Sequence, residues 1–206
     1  MNIGIIGAGN IGANAARLFA NAGHRVAISN SRGPQSLAPL VATLSSNVTA
    51  TTVDDAAKFG EVVLLAVPWR APEALPSAEL LEGKIVIDAM NHYTSTGNVH
   101  DLGNSTSSEE VAKRLPGARI VKAFNTMYFE ILRTGGRKDP KDRLVLFVAG
   151  DDAEAKAVVS KLIEDIGFAP IDTGSLRKGG RLQQPGSPIY NKPLTTEQAQ
   201  KMLAEQ

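Results

Sequence analysis

The chain begins with Ile3-Gly4-Ile5-Ile6, an apolar run of buried-strand length. It passes without a break into Gly7-Ala8-Gly9-Asn10-Ile11-Gly12 and then into an apolar helical stretch, Ala13 to Ala22. Strand, G-x-G-x-x-G and helix in that order constrain the fold more tightly than anything else in the sequence, because each glycine has a separate physical task. Gly7 makes the tight turn, Gly9 lets the backbone approach a pyrophosphate, and Gly12 allows the helix to lie close on the strand. The amides of Asn10 and Ile11 open the helix, where unpaired N–H groups and the helix dipole favour an anion. The element reads as a dinucleotide-binding turn.

The end of the second strand selects the dinucleotide. Arg25-Val26-Ala27-Ile28 runs into Ser29-Asn30-Ser31-Arg32-Gly33, about twenty residues beyond the glycines, where a carboxylate would hold the ribose hydroxyls of NAD. No Asp or Glu precedes Asp54, whereas Arg17, Arg25 and Arg32 all fall in that stretch. The local charge therefore favours an additional phosphate, and the expected cofactor is NADP(H). Arg32 would bind the 2′-phosphate through charge-assisted hydrogen bonds and Ser31 through its hydroxyl, with Asn30 as a further candidate.

A chain of 206 residues with a formal net charge of +1 fits one domain with a small appendage. It has no basic run of the kind that binds nucleic acid. The absence of cysteine excludes thiol chemistry and disulfides and weakens the case for a structural metal site. The three histidines have no metal-ligand spacing. With no membrane-length apolar stretch and a core strand at the N-terminus, a cytoplasmic protein without membrane attachment is expected.

Apolar runs alternate with helical patterns, as in stacked βα units around a parallel sheet. Further strands are expected at Val48 to Thr51, Glu61 to Val67, Lys84 to Asp88, Arg119 to Ala123, Leu144 to Ala149 and Phe168 to Asp172. Helices are expected at Leu37 to Leu44, Val53 to Phe59, Ser108 to Leu115, Met127 to Arg133, Asp152 to Ile166 and Thr195 to Glu205. The polar stretch Asn91 to Ser107 is long for a connection inside a compact domain, which marks it as functional or mobile. The expected fold class is α/β, a Rossmann-like, doubly wound, mostly parallel sheet with a small C-terminal extension. Residues 1–140 form the NADP-binding domain, and residues 141–206 form an α/β extension packed on it.

Four features together resemble NADPH-dependent reductases of the deazaflavin coenzyme F420, and also the oxidoreductase domain of the STEAP metalloreductases. They are the glycine turn, Ser31-Arg32, Ala66-Val67-Pro68-Trp69 after the fourth strand, and Lys122-Ala123-Phe124-Asn125-Thr126 after the sixth. The resemblance implies hydride transfer between NADPH and a flavin-like ring stacked on the nicotinamide. It also places Val67, Pro68 and Trp69 along the ribose and nicotinamide, with Asn91, Asn125, Thr126 and Met127 bordering the nicotinamide. Trp69 alternatively caps the sheet, and Asn125 alternatively caps a helix. Deazaflavin-using relatives often carry aromatic residues just after Asn91. Here His92-Tyr93-Thr94-Ser95-Thr96 keeps one Tyr ring in an otherwise polar segment, which leaves ordinary flavin open beside F420. The stretch Leu176 to Gly186 is similar to family tails, and its Arg177, Lys178 and Arg181 could meet an anionic acceptor or lie in a solvated loop.

No catalytic side chain is expected, since the cofactor carries the hydride and the protein supplies orientation and a dry pocket. Neither Tyr93, Tyr128 nor Tyr190 begins a Tyr-x-x-x-Lys motif. Lys122 with Asn125 bears a slight resemblance to the lysine and asparagine of 3-hydroxyacid dehydrogenases, which keeps a carbonyl or hydroxyacid dehydrogenase as a lesser reading. The expected partner is a small-molecule redox acceptor, F420 or a flavin, and a homodimer is the base-rate oligomer. The rival reading is a nonenzymatic NADP(H) sensor, because fold does not imply turnover.

Overall fold

The computed structural model describes residues 1–205. Eight strands form one sheet: β1 (Asn2–Ile6), β2 (Arg25–Ser29), β3 (Val48–Ala50), β4 (Val62–Leu65), β5 (Ile85–Asp88), β6 (Arg119–Lys122), β7 (Val145–Gly150) and β8 (Ala169–Gly174). Their spatial order is β3-β2-β1-β4-β5-β6-β7-β8. The first six run parallel. β7 turns antiparallel to β6, and β8 runs parallel to β7. The sheet is α/β and Rossmann-like, as expected. The segment after residue 140 continues the same sheet through β7 and β8. Every residue of β4, β5 and β7 is buried, which explains their near-continuous apolar sequences: helices cover both faces of the sheet.

The helices are α1 (Asn10–Asn21), α2 (Ala38–Val41), α3 (Val53–Phe59), α4 (Ser107–Arg114), α5 (Phe129–Thr134), α6 (Ala153–Asp165), α7 (Lys178–Leu182) and α8 (Thr196–Ala204). Side-chain caps define several starts. Thr106 and Thr195 each form a capping box, and Asp152 accepts the Ala155 amide. α2 is a single turn behind a 3₁₀ segment at Pro34–Leu37, shorter than the apolar pattern suggests. α5 starts at Phe129 rather than Met127. α7 lies in a stretch whose glycines read as loop. Gly179 has to be glycine there, because a Cβ would fall 2.5 Å from the Thr173 hydroxyl oxygen, and the close packing it allows overrides low helix propensity. Among the described residues no helix is long and apolar enough to cross a membrane.

At the end of β1, Gly7 has φ +103°, a backbone conformation that favours glycine, and its amide bonds to Ser29 O at 3.0 Å. A Cβ on Gly12 would lie 1.9 Å from Gly7 O, so α1 can sit on the turn only without one. Because β1 pairs with β2 on one side and β4 on the other, the chain changes direction at this strand. The crevice at such a switch point is where doubly wound sheets place ligands.

Next to that crevice is a charged cluster with no access to solvent. Lys122 and Asp88 are fully buried, with Nζ 3.1 Å from Oδ2. Lys122 Nζ also donates to Met90 O and Ser107 Oγ, while Asp88 accepts from Ser108 Oγ at 2.6 Å and the Met90 amide at 2.9 Å. Burial pulls the ammonium below its ordinary pKa, and the neighbouring carboxylate opposes that shift. Removing one partner of such a pair leaves an uncompensated buried charge, so Lys122→Met should lose about 3–5 kcal/mol of stability. Denaturant unfolding checks this, with the double variant Asp88→Leu/Lys122→Met expected to recover part of the loss.

Candidate active site

A cleft of about 850 Å³ crosses the C-terminal ends of β1, β4, β5 and β6. The glycine turn and the start of α1 form one wall, with Gly7, Gly9, Asn10 and Ile11 all facing the cleft. The cap residue Gly9 has no side chain to offer the first-turn amides, and no acidic residue lies in that turn. These donors are therefore left for a ligand. Gly9 has φ −76° and ψ −167°, and a Cβ there would meet no protein atom within 4 Å. Nothing in the fold requires glycine at this position, unlike Gly7 and Gly12. The space in front of it opens into the cleft.

The turn after β2 brings Asn30, Ser31 and Arg32 to one end of the cleft. Asn30 organises it: Oδ1 accepts the Arg32 amide at 2.9 Å and Nδ2 donates to Ser36 Oγ at 2.9 Å. Ser31 and Arg32 are left exposed. Arg25, counted above in the local charge, instead lies at the opposite end of β2 with its guanidinium 5.3 Å from the Phe59 ring centroid. Arg17 does not line the cleft either, so Arg32 alone of the three contributes charge to it.

Val67, Pro68 and Trp69 follow β4 along the floor. Trp69 is held from behind by His92, edge-on at 6.4 Å, and by the Arg114 guanidinium 5.0 Å from its ring centroid. It therefore faces the cleft and packs on the sheet end at once. His92 is buried and does not line the cleft. Burial, and then the Lys122 charge, hold its pKa at about 4 instead of the ordinary 6.5, with a smaller contribution from His100 and an opposing one from Asp88.

The opposite wall is an amide and phenol network. Asn125 Nδ2 donates to Asn91 Oδ1 at 3.1 Å and to Gln183 O at 2.6 Å, and Asn91 Nδ2 donates back to Asn125 O at 3.0 Å. Asn125 is not a helix cap, since α5 begins after Tyr128 with no side-chain cap. The loop that presents it is strained: Phe124 has φ +67°, and its ring is buried edge-on against Phe19 at 5.8 Å. Met127 lines the cleft, whereas Thr126 is buried behind it with its carbonyl accepting the Asn191 amide at 2.9 Å. Gly12 also stays behind the wall, where its role is packing.

The structure adds residues that the sequence reading did not assign to the site: Tyr128, Phe129, Tyr190 and Asn191; Met90 and Tyr93, which flank Asn91-His92, line the cleft as well. Tyr190 arrives from a stretch read as polar loop, and no local motif signals its approach to Asn91, 99 residues earlier. Thr94, Ser95 and Thr96 occupy a hairpin tip closed by the Thr94 amide bond to Asn98 O, and they do not line the cleft. Nor do Arg177, Lys178 and Arg181. Arg181 donates instead to Asn104 O at 3.0 Å. Lys122 is enclosed by Asp88, Met90 and Ser107, so the lysine–asparagine pair of a hydroxyacid dehydrogenase is not presented to the cleft.

A glycine-turned cleft across the switch point of a doubly wound sheet defines a Rossmann-like chain with the geometry of a dinucleotide site. Residues 2–92 match the family described as NADP oxidoreductase, coenzyme F420-dependent. Two solved structures are similar over most of both chains. A hypothetical protein of Sinorhizobium meliloti is 36% identical with TM-score 0.84, covering 95% of each chain. A protein of Arthrobacter sp. FB24, provisionally assigned as an F420-dependent NADP reductase, is 31% identical with TM-score 0.73, covering 85% of this chain and 86% of its own. The chain belongs to this F420-dependent NADP oxidoreductase family. It is also 32% identical over 175 residues to rat metalloreductase STEAP3, covering 84% of this chain and 34% of that protein. The chain thus spans about a third of the length of the curated relatives it matches.

The buried imidazole sets a pH dependence. His92 stays neutral in the fold down to about 4 but protonates near 6.5 once unfolded. Its contribution is therefore present above 6.5 and is lost as pH falls toward 4. Unfolding free energies at about pH 7 and about pH 5 should show a drop that His92→Gln reduces.

Proposed function

We propose that the protein is an NADPH-dependent oxidoreductase that passes hydride to a flavin-like ring, coenzyme F420 or a flavin. The observation that carries the proposal is the cleft itself. At one end are free helix-start amides, Gly9 and an unpaired Arg32. At the other is a rigid amide wall with Met127, Tyr93 and Tyr190, and among the described residues no lysine or histidine lines the cleft. These residues fit the cofactor. The amides of Asn10 and Ile11 would hold the pyrophosphate, Ser31 and Arg32 the 2′-phosphate, and Val67, Pro68 and Trp69 the ribose side. Asn91, Asn125 and Met127 would border the nicotinamide, with Thr126 supporting that wall from behind. NADPH supplies the hydride when bound. The protein's own work is to orient the two rings and keep water away from them.

The glycine geometry separates binding from folding. Gly9→Val places its side chain in open cleft, so its melting curve should match the parent while NADPH affinity falls by more than about tenfold, roughly 1.4 kcal/mol. Gly12→Ala, with its Cβ 1.9 Å from Gly7 O, should lose stability instead. In the parent, NADPH should bind at least about tenfold tighter than NADH, a preference that Arg32→Ala should abolish. Equal affinities in a titration would remove the 2′-phosphate assignment.

Anaerobic assays with NADPH test the acceptor. Reduction of F420, FMN, FAD or riboflavin is expected, with little activity toward aldehydes, ketones or hydroxy acids. Turnover of a carbonyl substrate without any flavin reaction would refute the acceptor reading. Tight NADPH binding with no turnover would mark a sensor.

A further inference from the structure

Tyr190 is held through both chain neighbours and through its hydroxyl. Ile189 beside it is buried in the cluster under β7 with Val145, Phe147 and Leu194, and the Asn191 amide bonds to Thr126 O at 2.9 Å. Asn91 Nδ2 donates to the Tyr190 oxygen at 3.2 Å, and Tyr93 Oη lies 3.1 Å from it. The orientation of Asn91 is not free, because its amide is locked in the reciprocal pair with Asn125. The Tyr190 oxygen therefore receives the amide hydrogen and the Tyr93 hydrogen on its two lone pairs. Its own O–H then finds no acceptor among the described residues, on a side chain that lines the cleft.

We propose that Tyr190 is the hydrogen-bond donor to the acceptor ring, aimed by Tyr93 and Asn91, and that the acceptor is a ring bearing a carbonyl oxygen or ring nitrogen conjugated to the atom that receives hydride. The inference rests on the reading above that a second ring enters the cleft. Tyr190 is assigned to that ring and not to the nicotinamide because it and its neighbour Asn191 are bonded to residues that follow β5 and β6, two and three strands from β1 in the sheet and so away from the glycine turn and Arg32. Hydride transfer oxidises the nicotinamide and leaves negative charge on the reduced ring. The phenol hydrogen-bonds to that charge and keeps its proton, and the reduced ring takes the neutralising proton from solvent after it leaves the cleft. Burial pushes Tyr190 above its usual range, so it remains a donor at neutral pH. Two hydrogen bonds accepted by one hydroxyl also strengthen the bond it donates.

The test is ring binding to NADP⁺-saturated protein, with riboflavin and F420 as probes and their fluorescence as the signal. Tyr190→Phe should weaken ring binding about tenfold, the scale of one lost hydrogen bond, while NADP⁺ binding stays unchanged. Tyr93→Phe should lose less, because the Tyr190 O–H remains and only its aim suffers. Ring binding unaltered in Tyr190→Phe overturns the inference and leaves the acceptor reading standing, whereas an equal loss of NADP⁺ affinity shows that the nicotinamide uses the donor and also overturns it. Parent protein that holds NADP⁺ but binds neither probe refutes both the inference and the acceptor reading. If Tyr190→Phe does not fold, infrared difference spectra of riboflavin on the parent protein decide the matter: a carbonyl stretch moved to lower frequency supports the donor, and an unshifted one refutes it.

Discussion

The ammonium of Lys122 and the carboxylate of Asp88 are shut away from solvent at the ends of β6 and β5, and the shape of the cleft depends on that pair. Two buried charges are tolerated only when paired and hydrogen-bonded. Here the partners are the start of α4, through Ser107 and Ser108, and the backbone of Met90. Meeting those requirements fixes where both strands stop and the direction in which their loops leave. Asn91 and Asn125 sit one and three residues past the groups so fixed, and their reciprocal amide pair is the first rigid contact outside the buried cluster.

The other side of the cleft is rigid for a steric reason. Gly7 takes a positive φ, and Gly12 lets α1 close on it, so the free amides point along one direction into the crevice. Asn14 then joins α1 to the far wall, its Nδ2 donating to Phe129 O at 2.9 Å. The helix that would hold an anion is thereby tied to the helix that carries Tyr128 and Phe129 at the cleft edge. A site for two stacked rings needs this kind of rigidity, because hydride transfer depends on near-contact geometry more than on any acid or base.

The C-terminal segment completes the wall. Gly179 lets α7 pack on the end of β8, Gln183 offers its carbonyl to Asn125, and Tyr190 reaches Asn91 and Tyr93. Residues far along the chain thus set the shape of the pocket where the acceptor would lie.

The strands, their parallel order, the glycine turn and the exposed Ser31-Arg32 were legible in the sequence because each depends on local physics. Buried strands need continuous apolar runs, a tight turn needs glycine, and a phosphate needs a cation without a competing carboxylate. The 2′-phosphate was assigned to Arg32 from the sequence, but Arg17 and Arg25 were counted in the same local charge, and only the structure shows that neither lines the cleft. It also could not show that Lys122 is consumed by Asp88, that Asn125 pairs with Asn91 instead of capping a helix, or that Tyr190 stands beside Tyr93. Those relations join positions 34 to 97 residues apart, and no local pattern encodes them. Only the packed sheet brings the groups within hydrogen-bond distance, where burial forces each polar atom to find a partner.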